Sequence, residues 1–314
     1  MANFDVFNGD ADGILSLLQL RLASPTPSTL ITGYKRDINL LSRVDAGAND
    51  NVVVLDISMR SNKKDLVRIL ENGARVLYID HHNSGEIPAY DNLEAIINTS
   101  PEMCTAMLVD AYLDGAYRAW AVTAAFGDNF PKLAWRKSVG YDLPLESLQR
   151  LGRLINYNSY GTSLSDLLYE PSELYSILLN YEDPMLFLKD NGAIIDSLEE
   201  QYNQDMLLAE KSKTLDLTKL GKILILENSA GSRRISGVFG NVLSQKYPSM
   251  AHAILTHKDN GYMVSIRAPI SLGVGSDELA IQFVSGGGRP AAAGINFLHN
   301  DDLESFIRAF RKAF

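Results

Sequence analysis

The sequence predicts an α/β protein: an N-terminal domain with a mainly parallel sheet flanked by helices, a helical linker, and a smaller C-terminal α/β domain with a mixed sheet. Three observations predict it. Short apolar or β-branched runs alternate with segments of helical period through the first hundred residues, three of those runs end beside an aspartate, and strand signals resume after an acidic helical stretch. The expected boundaries are 1–185, 186–220 and 221–314, and 314 residues give each domain room for its own core.

Phe4 to Phe7 reads as a strand running into N-G-D-A-D-G at Asn8 to Gly13, followed by leucines at helical spacing. Asp10 and Asp12, two apart in that turn, either form a solvated Asp-rich turn or point into one cleft, where two anions require a cation between them. A Pro/Ser loop spans Ser24 to Ser28, and a short strand lies near Leu30 to Thr32. Val52 to Leu55 repeats the opening pattern and ends at Asp56, with a helix from about Lys63 to Asn72 closed by Gly73. Arg75 to Ile79 then delivers Asp80, His81 and His82. A single Asp after a strand is commonly an N-cap. Parallel stacking by right-handed crossovers places Asp10, Asp56 and Asp80 on one rim of the sheet, and the paired histidines favour a metal cluster there.

Further along, T-A-M-L-V-D-A-Y-L is a helix with Cys104 near its start, read as a core thiol because no base lies nearby. The small apolar segment Ala119 to Phe126 leads to G-D-N and a further acid, Asp128. Leu145 to Leu188 looks helical, and an acidic helix follows within Met185 to Leu217. From about Lys222 the pattern is strand, helix, then two strands joined by the hairpin signal H-K-D-N-G. After a helix expected at Asp277 to Val284 comes G-G-G-R-P-A-A-A-G. Gly286, Gly287 and Gly288 would open their N–H groups to an anion, Pro290 would start a helix, and Arg289 would add a cation, making a phosphate cradle. His252, His257 and His299 have no ligand-spaced partner and read as surface or satisfied structural residues.

A net charge of -9 argues against a surface that tracks long duplex nucleic acid, but leaves room for a small phosphorylated substrate. One cysteine excludes an internal disulfide and fits a reducing compartment. With neither a signal-peptide pattern nor an apolar stretch long enough to span a bilayer, the protein is expected in the cytoplasm, without a membrane partner. The sequence admits a homodimer without specifying one.

These motifs, in this order, make the chain resemble the DHH phosphoesterase superfamily, in the branch with a DHH-associated C-terminal domain that includes nanoRNase-like and single-strand exonuclease-like proteins. The resemblance covers nearly the whole chain and rests on N-G-D-A-D-G, V-L-D at Val54, D-H-H at Asp80, G-D-N at Gly127 and the glycine-rich run. It implies two divalent cations, usually Mn2+ with Mg2+ as the alternative, held by the first domain. Asp10 would bind one ion and Asp12 the other, Asp56 would bridge them, and His81 and Asp128 would complete the protein ligands of the second ion. Asp80 would orient its neighbours and His82 would face the scissile phosphate. Arg267, Gly286 to Gly288 and Arg289 would hold the nucleotide. Two departures stand out: Val6 occupies a position where many relatives have histidine, and Arg289 one where they commonly have histidine, which restricts Arg289 to binding. The implied activity is hydrolysis of short oligonucleotides or linear dinucleotides to mononucleotides by metal-activated water. The alternatives are a processive single-strand exonuclease, a cyclic-dinucleotide phosphodiesterase, a 3',5'-bisphosphate nucleotidase, and a non-catalytic nucleotide-binding protein.

Overall fold

The three strand runs that end beside an aspartate become neighbours in one parallel sheet. In the computed structural model, which describes residues 1–100 and 102–314, they are β1 (Asn3–Phe7), β3 (Asn51–Leu55) and β4 (Arg75–Asp80). β2 (Thr29–Ile31) flanks β1 and β5 (Leu93–Ile97) flanks β4, giving the order β2-β1-β3-β4-β5 with every pairing parallel. Phe7 pairs with Leu55 and Leu55 with Ile79, so the carboxyl ends of β1, β3 and β4 share one rim. β5 has no clear period-2 signal and is not evident from the sequence.

Alternation along the strands sends side chains to two faces. On one face Val6, Val52, Val54, Val76 and Tyr78 pack with Leu66, Ile69 and Leu70 of α2 (Met59–Glu71) and with Leu40 and Leu41. Against β1 and β3 lies α1 (Ala11–Ala23), enclosed by α3 (Thr105–Tyr112), α4 (Arg118–Gly127), α6 (Leu145–Asn158) and α7 (Pro171–Leu178). This position explains why Ala11 through Leu20 are all buried, the pattern of a helix covered on every side. Two glycines set the spacing of α4 and α6: a Cβ on Gly152 would lie 2.1 Å from the Thr123 carbonyl oxygen, and one on Gly127 2.7 Å from that of Gly152. α5 (Pro131–Ser138) follows the G-D-N segment, and α8 (Pro184–Glu210) is kinked at Asn191.

Two compact units result, Met1–Glu199 and Glu200–Phe314. The second is a mixed sheet in the order β10-β11-β9-β8-β7-β6. Its strands are β6 (Lys213–Leu217), β7 (Gly221–Leu226), β8 (Ala251–Lys258), β9 (Gly261–Arg267), β10 (Gly286–Arg289) and β11 (Ala292–His299). Only β7 and β8 pair in parallel, as expected for strands joined through a crossover helix, here α9 (Ala230–Lys246). On the other face Phe306 and Phe310 of α11 (Leu303–Ala313) pack with Ile223, Leu255 and Val264.

Three local expectations are corrected. The glycine-rich run does not open a helix: Gly286–Arg289 is an edge strand paired antiparallel with β11, and Pro290 lies in the connecting turn. Hydrogen bonding to β11 outweighs the conformational cost of the glycines. The helix expected at Asp277 to Val284 is one short turn, α10 (Ser276–Ala280). His252 is neither at the surface nor satisfied. It is fully buried on β8, neither ring nitrogen has a hydrogen-bond partner among the described residues, and burial lowers its pKa to about 4. No helix of the described residues is long and apolar enough to cross a membrane.

Candidate metal centre

At the end of β1 the chain turns through Gly9 into α1, and Asp10 caps that helix. One carboxylate oxygen, Oδ1, accepts from the N–H groups of Asp12 and Gly13 at 3.0 and 3.1 Å. Asp12, in the first turn, is fully buried, and both its oxygens are engaged from another element: the Thr105 N–H donates at 2.7 Å and the Ala106 N–H at 2.8 Å. Asp12 thus receives the N-terminus of α3, where a negative charge is favoured. Asp56 ends β3 in the left-handed region with φ 59°, a conformation Asp and Asn tolerate better than other side chains. Its Oδ1 accepts from the Thr105 hydroxyl at 3.1 Å. Asp128 is the C-cap of α4.

His81 links these acids. The Met103 carbonyl lies 2.8 Å from its Nδ1, which therefore carries the proton and leaves a lone pair on Nε2. That nitrogen lies 3.4 Å from Asp56 Oδ1, 3.8 Å from Asp128 Oδ2 and 3.9 Å from Asp12 Oδ2. Three carboxylates converging on a nitrogen that offers them its lone pair in the neutral ring make the donor arrangement of a cation site. Beside it, Asp80 Oδ1 lies 2.7 Å from His82 Nδ1, while the buried Asp80 Oδ2 has no hydrogen-bond partner among the described residues. Potential ligand atoms of Asp12, His81 and Asp128, and likewise of Asp56, His81 and His82, fall within 4.8 Å of one another.

Charge crowding supports the same assignment. Burial, followed by the carboxylates of Asp12, Asp10, Asp128 and Asp80, pushes the Asp56 carboxyl well above its usual range. Burial likewise raises Asp12, and the carboxylates of Asp128 and Asp10 add to it. Carboxylates and imidazoles without a thiolate suit Mn2+ or Mg2+, so the residues present fit a divalent ion. Cys104 does not contribute to such a set: it is buried at the N-cap of α3, and burial with the nearby acids keeps its thiol protonated.

The structure therefore brings together Asp10, Asp12, Asp56, Asp80, His81, His82 and Asp128. Sequence reasoning missed two further members. Lys35 Nζ contacts Asp10 Oδ2 and lies 3.1 Å from Asp128 Oδ1 and 3.3 Å from Asn156 Oδ1. Neither residue belongs to a motif: Lys35 sits in an irregular loop and Asn156 in an amphipathic helix.

Comparison with solved structures places the fold in a known architecture. A DHH-domain protein described as a member of a family of ribosomal proteins is similar with a TM-score of 0.68 at 13% identity, over 99% of this chain and 86% of that one. The fold is that of the DHH-domain proteins. Exonuclease RecJ bound to manganese matches with a TM-score of 0.61 at 16% identity, over 99% and 90% of the two chains. The pGpG-specific phosphodiesterase PggH from Vibrio cholerae matches with a TM-score of 0.59 at 15% identity, over 100% and 99%. No family model and no curated protein matches the sequence.

Within the second unit, Arg289 on β10 and Arg267 on β9 both pair with Ala292 of β11, so the two arginines stand at one level of the sheet. The Arg267 guanidinium donates to Asn241 Oδ1 at 2.7 Å and to the Gly237 carbonyl at 2.9 Å, which fixes it against α9. Arg289 is exposed, and Gly286 to Gly288 form the edge strand beside it.

Proposed function

We propose that this protein is a manganese-dependent phosphodiesterase that hydrolyses short oligonucleotides or linear dinucleotides to mononucleotides. The observation that carries the proposal is the His81 lone pair directed at Asp12, Asp56 and Asp128 in a buried acidic cluster. Those four residues would hold a divalent ion. When bound, such an ion lowers the pKa of a coordinated water and neutralises charge on phosphoryl oxygens.

The chain's own residues supply the rest. The Met103 carbonyl and Asp80 hold the two imidazoles in fixed tautomers, so neither ring has to reorient during turnover. The side chain of His82 is 32% exposed, which makes it the member of the cluster that a bound phosphodiester can reach. His82 would face the scissile phosphate, and Arg267, Gly286 to Gly288 and Arg289 would bind the nucleotide.

Net charge supports a small substrate: at -9 the protein has no overall cationic surplus of the kind that favours binding a long strand. Likeness to a pGpG-specific phosphodiesterase supports a dinucleotide, while likeness to RecJ keeps a single-strand exonuclease as the second reading. Chelator-treated protein should be given Mn2+ and a panel of linear dinucleotides, longer single strands, cyclic dinucleotides and 3',5'-bisphosphate nucleotides. Fastest turnover of the linear dinucleotides is expected. A preference for long strands with steep loss of rate in salt would replace it with the exonuclease, and no turnover of any substrate would leave a nucleotide-binding protein.

A further inference from the structure

We propose that the Lys35 ammonium permanently takes the place of one of the two cations expected in this fold, so that the centre holds a single divalent ion beside a fixed protein cation. This rests on the metal-dependent reading above and changes its stoichiometry.

Three oxygens surround the ammonium, from Asp10, Asp128 and Asn156, matching the three hydrogens it can donate. Two carboxylates and an amide oxygen are also the donor set a hard cation would take, so the lysine head occupies a coordination sphere. The Tyr160 ring closes another side, its centroid 5.5 Å from Nζ. The remaining ligand atoms gather elsewhere. Among the described residues, both groups that can hold an ion contain His81, and neither contains Asp10.

The backbone shows that Lys35 is placed there by construction. A Cβ on Gly9 would lie 1.8 Å from the Gly33 carbonyl oxygen, so the glycine of N-G-D-A-D-G lets the loop of Lys35 approach the end of β1. The Lys35 N–H then donates to the Ser159 carbonyl at 2.9 Å, and Asn8 Nδ2 donates to the Lys35 carbonyl at 3.4 Å. Val6 fits the same picture, since its side chain is sealed in the apolar cluster on one face of the sheet.

An ammonium neutralises charge but has no open coordination position, and its three hydrogens are already committed. It therefore cannot ionise a water, and that task falls to the ion held around His81.

The test counts ions. Chelator-stripped wild type and Lys35→Ala are titrated with MnCl2 by calorimetry, and bound Mn2+ is examined by electron paramagnetic resonance. Wild type is expected to bind one Mn2+ per chain with an uncoupled spectrum. Lys35→Ala should bind two with the signature of an exchange-coupled pair, because the freed oxygens admit a second ion. If the variant does not fold in chelator, it is purified in Mn2+ and its bound metal is counted after desalting. Two ions in wild type would overturn the lysine assignment and leave the metal reading standing. No ion in wild type would overturn both, and a variant that still binds one would show that Lys35 is not what excludes the second.

Discussion

Replacing Asp56 by Asn should reverse the order of stability of wild type and variant according to whether metal is present. The carboxylate is buried, and its ionised form is opposed by burial and by Asp12, Asp10, Asp128 and Asp80. Asparagine removes that charge at nearly constant shape, keeps an oxygen for the Thr105 hydroxyl, and tolerates the left-handed backbone at φ 59°. In chelator the variant should therefore melt above wild type. With Mn2+ at a hundredfold excess over Kd, linkage should stabilise wild type by about 2.7 kcal/mol. For a unit the size of Met1–Glu199, at ~2–4 °C per kcal/mol, this is a rise of about 5 to 11 °C that Asp56→Asn should largely lack. Calorimetric melts of both proteins in EDTA and in Mn2+ measure the four values. A variant that melts below wild type in EDTA, or gains as much from Mn2+, would refute the reasoning; so would wild-type hydrolysis of a dinucleotide by the variant.

Other substitutions separate structure from charge. Asp12→Ala should lose roughly 2 kcal/mol in urea unfolding even in chelator, the opposite sign to Asp56→Asn, because the Thr105 and Ala106 N–H groups lose their acceptor. Gly152→Ala forces α6 away from α4, so a loss of roughly 1–3 kcal/mol is expected, together with weaker Mn2+ binding as Asp128 shifts. His252 titrates near 4 in the folded protein against about 6.5 unfolded, so the unfolded chain takes up the proton first as pH falls. Its contribution, up to ~3 kcal/mol, is present above about pH 6.5 and lost as pH drops towards 4; His252→Phe should flatten unfolding free energy across that window.

Legibility in the sequence follows the length and regularity of the signal. β1, β3 and β4 are readable because a β-branched or apolar run of a few residues ends in a polar turn, and their parallel order follows from crossover handedness. Four of the acids and both histidines sit at such run ends or just beyond them. Lys35 is not readable, since its partners are 25 residues away at Asp10, 93 at Asp128 and 121 at Asn156, and nothing local marks it. A cluster of buried acids does demand a cation, and that demand is the available clue. Glycines mislead about the element at Gly286 because backbone freedom allows both a loop that opens a helix and a strand, and pairing with the neighbouring β11 makes it a strand. β6 lies in an exposed stretch with a polar pattern, where pairing with β7 rather than propensity makes the strand.

The left-handed turn at Asp56 has an evolutionary corollary. A descendant freed of any need for the carboxylate would remain bound by the same backbone there, so drift at this position would favour asparagine or glycine over alanine or a branched residue. The geometry would outlive any chemistry carried there, and such a descendant would keep a recognisable trace of the acid it replaced.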